Sequence, residues 1–234
     1  MSEPPVVLVH GFGTSYNETW VANGWRDLLI EAKRDVLGID LLGHGESEKP
    51  TDPESYKNLE SLVLSQFPQV EVDGIGFSLG AQVLLWLAAQ NPNRFRRLVV
   101  AGIGQNIFEG KSDIEPWNKK IIDAVSTGKA DTPEFRYFAQ LGDSPGANRE
   151  ALVACLQRPD PKTFTLELIE KVSIPVLVVL GEEDFAGPAD PLITALPDST
   201  LIVLPGVDHF STPKNFGFID AALKFLDADP FSQN

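Results

Sequence analysis

A chain of 234 residues with 43% hydrophobic and 22% charged side chains can bury a sizeable core, which excludes a wholly disordered protein. A net charge of −14 sets it against nucleic-acid phosphates and anionic membrane surfaces, so neither is an expected partner, and a highly anionic substrate would be repelled on approach. The single cysteine, Cys155, cannot form an internal disulfide and lies in an apolar helical pattern, where a small buried hydrophobe is expected.

Met1 to Pro5 carries no basic region, and the run Val6–Val9 is too short for a signal or membrane-spanning segment, so a soluble, cytoplasmic protein is the expectation. The first strand is predicted over Val6–His10. Trp25–Lys33 follows with Trp25, Leu28, Leu29 and Ala32 at helical spacing. Asp35–Asp40 is a second strand, and Tyr56–Phe67 a helix with Leu59, Leu62, Val63 and Phe67 on one stripe. Val72–Phe77 is a third strand, running into an apolar helix over Leu79–Gln90 that stops before Pro92. Arg97–Gly102 is a fourth strand, Pro175–Leu180 a fifth and Thr200–Leu204 a sixth. Pro213–Leu226 closes the series as a helix with Phe216, Ile219, Ala222, Leu223 and Leu226 as its apolar stripe. The strands are almost continuously apolar, which suits burial on both faces of a parallel sheet, and their alternation with helices predicts a doubly wound α/β fold. Between Gly104 and about Lys171 the alternation stops. That stretch reads as helical, with turn signals at Gly110, Thr127–Gly128, Asp143–Gly146 and Pro159–Pro161 and with aromatics expected to form a small core of its own and a seat on the sheet.

The strongest chemical signal is Gly76-Phe77-Ser78-Leu79-Gly80. A strand turning sharply into a helix presents Ser78 in a strained conformation, and glycines on both sides admit close backbone neighbours. A serine hydroxyl needs a base, and three histidines compete for that part. His209 follows the sixth strand, at the same sheet edge as Ser78, where ligand loops of open α/β sheets converge. His10 and His44 are better read as structural, hydrogen-bonded through their rings to nearby loop backbone. The imidazole needs a carboxylate to fix its tautomer, and Asp184 follows the fifth strand; Glu182, Glu183 and Asp208 compete. For a developing oxyanion, the backbone N–H groups of Leu79 and Phe12 are the expected donors.

With these residues in view, the chain resembles the α/β-hydrolase superfamily. The likeness rests on His10-Gly11-Phe12-Gly13, Asp40-Leu41-Leu42-Gly43-His44-Gly45-Glu46-Ser47, the Ser78 turn, Gly181-x-x-Asp184 and Gly206-x-x-His209-Phe210. The resemblance implies a core formed by residues 1–104 and 171–234, a helical lid over 105–170, and no metal or organic cofactor. The chain departs from the family pattern in two ways. The usual hairpin ahead of the His-Gly strand is missing, giving a sheet of about six strands, and the segment Pro50–Asp73 is short for the helix before Ser78.

Ester hydrolysis of a small to medium, fairly apolar small molecule through an acyl-enzyme on Ser78 is the leading functional expectation. Carbon–carbon bond hydrolysis of a diketone-like compound would use the same three side chains. Thioester, lactone and peracid chemistry also stay open. A haloalkane dehalogenase is disfavoured because it needs a carboxylate where Ser78 stands. A non-catalytic small-molecule receptor is the alternative from another class, and the presence of Ser78, Asp184 and His209 together weighs against it.

Overall fold

The computed structural model describes residues 3–109, 111–159 and 161–230. Six strands build its sheet: β1 (Val6–Val9), β2 (Val36–Ile39), β3 (Val72–Phe77), β4 (Phe95–Ala101), β5 (Val176–Gly181) and β6 (Ser199–Leu204). They pair in the order β2-β1-β3-β4-β5-β6, and every pairing is parallel. The expected doubly wound α/β sheet of six strands is therefore the one that folds. Its order reverses between β1 and β3, the position where open α/β sheets leave a crevice beyond the strand ends.

Alternate residues of the central strands go to opposite faces. Val7 and Val9 of β1, Leu98 and Val100 of β4, and Val176 and Val178 of β5 join one apolar cluster with α2 (Leu59–Leu64), α3 (Leu79–Gln90), α7 (Leu166–Ile169) and α8 (Asp190–Ala195). Val6 and Leu8, Val99 and Ala101, and Leu177 and Val179 join a second cluster with α1 (Trp25–Glu31) and α9 (Phe216–Phe225). Two covered faces explain why these strands are apolar throughout. The stretch between β4 and β5 holds α4 (Lys111–Thr127), α5 (Pro133–Leu141) and α6 (Arg149–Leu156) along with α7, and no strand among its described residues. A third cluster forms there around Ile121, Val125, Phe135, Phe138 and Leu152, with Trp117 packed against it, while Phe108 and Phe164 pack with the sheet cluster. Gly110 and Asp160, which belong to two of the expected turns, lie outside the described residues.

Charge ties together the end of the sheet where the strands begin. Asp73, fully buried on β3, accepts hydrogen bonds from Arg34 and from Arg96 Nε (2.9 Å) and Nη2 (2.6 Å). Arg34 also donates to the carbonyls of Pro4 (2.6 Å) and Leu226 (2.9 Å), so three distant parts of the chain meet at one carboxylate. A buried charge set of this kind persists when nearly every donor and acceptor has a partner.

Helix ends moved where local polar groups took control. The helix expected over Tyr56–Phe67 is a single 3₁₀ turn at Pro53–Tyr56, begun by the Asp52 side chain accepting the Glu54 N–H, followed by the shorter α2; Leu62 is largely exposed rather than part of its stripe. The final helix starts at Phe216 rather than Pro213, because Asn215 Oδ1 accepts the Gly217 N–H at 2.8 Å and caps it there. That start leaves Phe216 86% exposed, off the stripe expected for it, while Phe218 is fully buried against Trp25, ring centres 4.6 Å apart. Replacing Phe218 by alanine should cost about 3–5 kcal/mol in urea unfolding. Phe216→Ala should stay within about 0.5 kcal/mol of the parent in the same measurement.

Candidate active site

Four loops leave the C-terminal ends of β1, β3, β5 and β6 on one rim of the sheet, and each carries a residue singled out from the sequence. Ser78 links β3 directly to α3 with φ 52° and ψ −115°, a conformation that costs a non-glycine residue about 1–3 kcal/mol. Backbone bonds pin it on both sides: its N–H donates to the Ala101 carbonyl at 2.8 Å, and its carbonyl accepts the Gln82 N–H at 3.0 Å. The flanking glycines are there for space. A Cβ on Gly76 would lie 2.7 Å from the Ala81 backbone, and one on Gly80 would lie 2.3 Å from the Val9 carbonyl oxygen and 2.5 Å from that of His10. The turn thus needs β1, β3 and α3 in backbone contact.

The structure brings Ser78, His209 and Asp184 into one chain of hydrogen bonds. The Ser78 Oγ lies 3.0 Å from His209 Nε2, and His209 Nδ1 lies 2.9 and 3.0 Å from the two Asp184 carboxylate oxygens. Asp184 Oδ1 also accepts the Ala186 N–H at 2.9 Å, and its side chain is fully buried. A carboxylate on Nδ1 places the ring proton there and leaves the Nε2 lone pair facing the serine hydroxyl. The imidazole sits against aromatic rings, Phe185 at 4.3 Å and Phe77 at 4.9 Å between centres. Of the competing acids, Glu182 accepts the Gly206 N–H (2.9 Å), Glu183 is exposed, and Asp208 accepts the Ser211 N–H (2.7 Å). None of the three shares a hydrogen bond with His209.

The β1 loop runs past the same serine. A Cβ on Gly11 would stand 3.4 Å from the Ser78 Cβ. The N–H groups of Phe12, next in that loop, and of Leu79, first residue of α3, have no backbone acceptor among the described residues. An unspent amide at a helix N-terminus, as at Leu79, favours a negative oxygen. His10 holds this loop from behind. Its Nδ1–H donates to the Gly11 carbonyl at 2.7 Å and its Nε2 accepts the Leu41 N–H at 3.1 Å, so the ring is neutral and bridges the β1 and β2 loops. Burial pulls its pKa below the usual histidine value, with the Gly11 carbonyl and the Asp40 carboxylate opposing. His44 donates from Nδ1 to the Leu42 carbonyl (3.0 Å) and packs edge-on to Phe12, but its buried Nε2 has no hydrogen-bond partner among the described residues. Both rings bond to nearby loop backbone, as the sequence reading expects.

A cavity of about 460 Å³ opens over Ser78, with Phe12, Leu79, Ile107, Trp117, Phe138 and Phe185 among its apolar walls. Part of its lining was not singled out from the sequence: Glu60, Gln82, Arg158 and Lys162. Only Gln82 had a signal, since it stands one helical turn after Ser78. Among the described residues no set of three or more His, Cys, Asp or Glu side chains is placed to hold a metal, and no helix is long and apolar enough to cross a membrane.

Sheet and rim together define a hydrolytic enzyme of the α/β class. The chain belongs to the alpha/beta hydrolase family, whose sequence profile matches residues 6–218. It is similar to the 2-hydroxymuconate semialdehyde hydrolase of a Pseudomonas species, 28% identical over 204 residues that cover 77% of this chain and 70% of that protein. It is also similar to the pimeloyl-(acyl-carrier protein) methyl ester esterase of Neisseria meningitidis, 26% identical over 234 residues that cover 87% of this chain and 86% of the other. Among solved structures, a thermophilic esterase from Thermogutta terrifontis superposes with a TM-score of 0.73 at 20% identity, over 97% of this chain and 91% of that one, a likeness of fold.

The buried histidines make the rim acid-sensitive. His44 is held down to about pKa 3, mainly by burial, with His10 adding to it and the Leu42 carbonyl opposing. Between about pH 6.5 and 3 the unfolded chain therefore binds a proton at this residue that the folded chain refuses. Stability should fall as pH drops through that window, by up to about 1.4 kcal/mol per pH unit from this group. Urea unfolding of the parent and of His44→Asn between pH 7 and 4 checks this, and the variant should show the shallower decline.

Proposed function

We propose that this hydrolase cleaves a carboxylic ester of a small to medium, fairly apolar molecule through an acyl-enzyme on Ser78. The observation that carries the reading is the 3.0 Å contact between Ser78 Oγ and His209 Nε2 at a cavity whose walls include Phe12, Leu79, Phe138 and Phe185. His209 takes the hydroxyl proton as Oγ bonds to the ester carbonyl carbon, and the carbonyl oxygen becomes an oxyanion received by the Phe12 and Leu79 amides. The imidazolium, steadied by Asp184, returns the proton to the departing alcohol oxygen as the carbon–oxygen bond breaks. Water then attacks the acyl-serine, its proton passing to His209 and on to Ser78, and the acid leaves. The helices of residues 105–170 serve as the lid over a core of residues 1–104 and 171–234. Likeness to the semialdehyde hydrolase supports a second reading, hydrolysis of a carbon–carbon bond with the same groups.

Hydrolysis of p-nitrophenyl butyrate tests the proposal. Ser78→Ala and His209→Ala should each lower kcat by on the order of 10⁴–10⁶, and Asp184→Asn by about 10⁴ or less. A Ser78→Ala protein as active as its parent removes the reading. No turnover combined with no labelling by a fluorophosphonate points instead to a receptor.

A further inference from the structure

One carboxylate on the cavity wall is buried without a hydrogen bond. Glu60, on α2, lines the cavity that opens over Ser78 and is 5% exposed. Its one ion-pair partner among the described residues is Lys162, whose Nζ lies 3.8 Å from a carboxylate oxygen, beyond hydrogen-bond reach. Lys162 lines the cavity too. Its Nζ stands 5.1 Å from the centre of the Trp86 ring on α3, and it makes no hydrogen bond among the described residues. Charge is therefore answered here while hydrogen bonding is not. A buried carboxylate has lone pairs to fill, and an ammonium has three N–H donors to spend.

The 3.8 Å gap suits one kind of group. Two atoms that far apart can both lie about 2.7–3.0 Å from a single oxygen. That oxygen must accept from Lys162 and donate to Glu60. A carboxylate accepts but has no proton to give, and an ammonium donates but has no lone pair; a hydroxyl does both. The charges on the wall point the same way. Glu60 and Glu109 share the lining with Arg158 and Lys162, and Arg158 is already bonded to the carbonyl (3.0 Å) and the thiol of Cys155. Two charges of each sign leave no net field to draw in a charged head.

We propose that the cavity takes an ester bearing a free hydroxyl away from the scissile bond, and that Glu60 and Lys162 bind that hydroxyl between them. The inference rests on the hydrolase reading at Ser78 and names the class of ester which that reading leaves open, a neutral hydroxy-ester whose carbon chain lies against Phe12, Phe138 and Phe185. Water can bridge the same pair when a plain ester is bound, so the hydroxyl gains what its tether to the reacting group adds.

The test compares kcat/KM at pH 7.5 within two pairs of esters. Methyl 6-hydroxyhexanoate against methyl hexanoate puts the hydroxyl on the acyl side, and 4-hydroxybutyl butyrate against butyl butyrate puts it on the alcohol side. The parent should prefer the hydroxyl member of at least one pair by about fivefold or more. The preferred ester with an ammonium or a carboxylate in place of its hydroxyl should be slower. Glu60→Leu should bring the ratio close to one, Glu60→Gln, which keeps an accepting oxygen, should retain part of it, and Lys162→Met should lower it. Equal kcat/KM within both pairs, a charged ester that outruns the hydroxy-ester, or a ratio that survives in Glu60→Leu overturns the proposal. If Glu60→Leu does not fold, Lys162→Met decides in its place, a lowered ratio supporting the proposal and an unchanged one overturning it. If the parent hydrolyses none of these esters, the ester reading fails, and calorimetry of Ser78→Ala with the same pairs decides on the subsite alone. Tighter binding of a hydroxyl member, lost when Glu60→Leu is added, supports it, and equal or absent binding overturns it.

Discussion

Contact between bare backbones at Gly80 sets the geometry of this molecule's rim. With the Val9 and His10 carbonyl oxygens 2.3 and 2.5 Å from where a side chain would begin, α3 starts in contact with the end of β1. That single closeness places Ser78, the Leu79 amide and the Gly11-Phe12 loop within reach of one another. Everything further out is arranged around it. The parallel order of the strands brings the loops after β5 and β6 to the same rim, and Asp184 and His209 come with them.

Asp184 and His209 are joined to the helical segment between β4 and β5 by the residues that follow them. Phe185, next to Asp184, packs on the His209 ring and lies near Trp117 and Phe138 of α4 and α5. Phe210, next to His209, stacks on Tyr137 at 4.3 Å. Asp184 and His209 therefore share an aromatic seam with α4 and α5, which contribute Trp117 and Phe138 to the cavity wall. Water is kept from the imidazole on that side, which strengthens the electrostatic terms at work there.

Most of this framework was legible in the sequence. Strands covered on both faces have no polar register to hide in, so VVLV, VDGIGF and PVLVVL announce themselves; β4 begins two residues earlier than expected, at Phe95, and ends one earlier, at Ala101. Helix ends were less legible, because Asp52 and Asn215 decide them through single side-chain bonds that periodicity does not register. Ser78, Asp184 and His209 stood out because each follows a strand that could be recognised. The cavity wall did not. Lys162 lies beyond a helix end, on a segment with no repeat to show which way a side chain turns, and its contacts are with Trp86 and Glu60 far away in the chain. The single unpartnered nitrogen on His44 is illegible for the same reason.

The carboxylate of Asp73 and its two arginines sit where the strands start, a full strand length from the rim where they finish. Cohesion and chemistry are thus lodged at opposite poles. Side chains lining the cavity can be exchanged without drawing on the clasp that holds β3, the Pro4 carbonyl and the end of α9 together. A molecule divided in this way leaves room for its preference among substrates to drift while its architecture stays put.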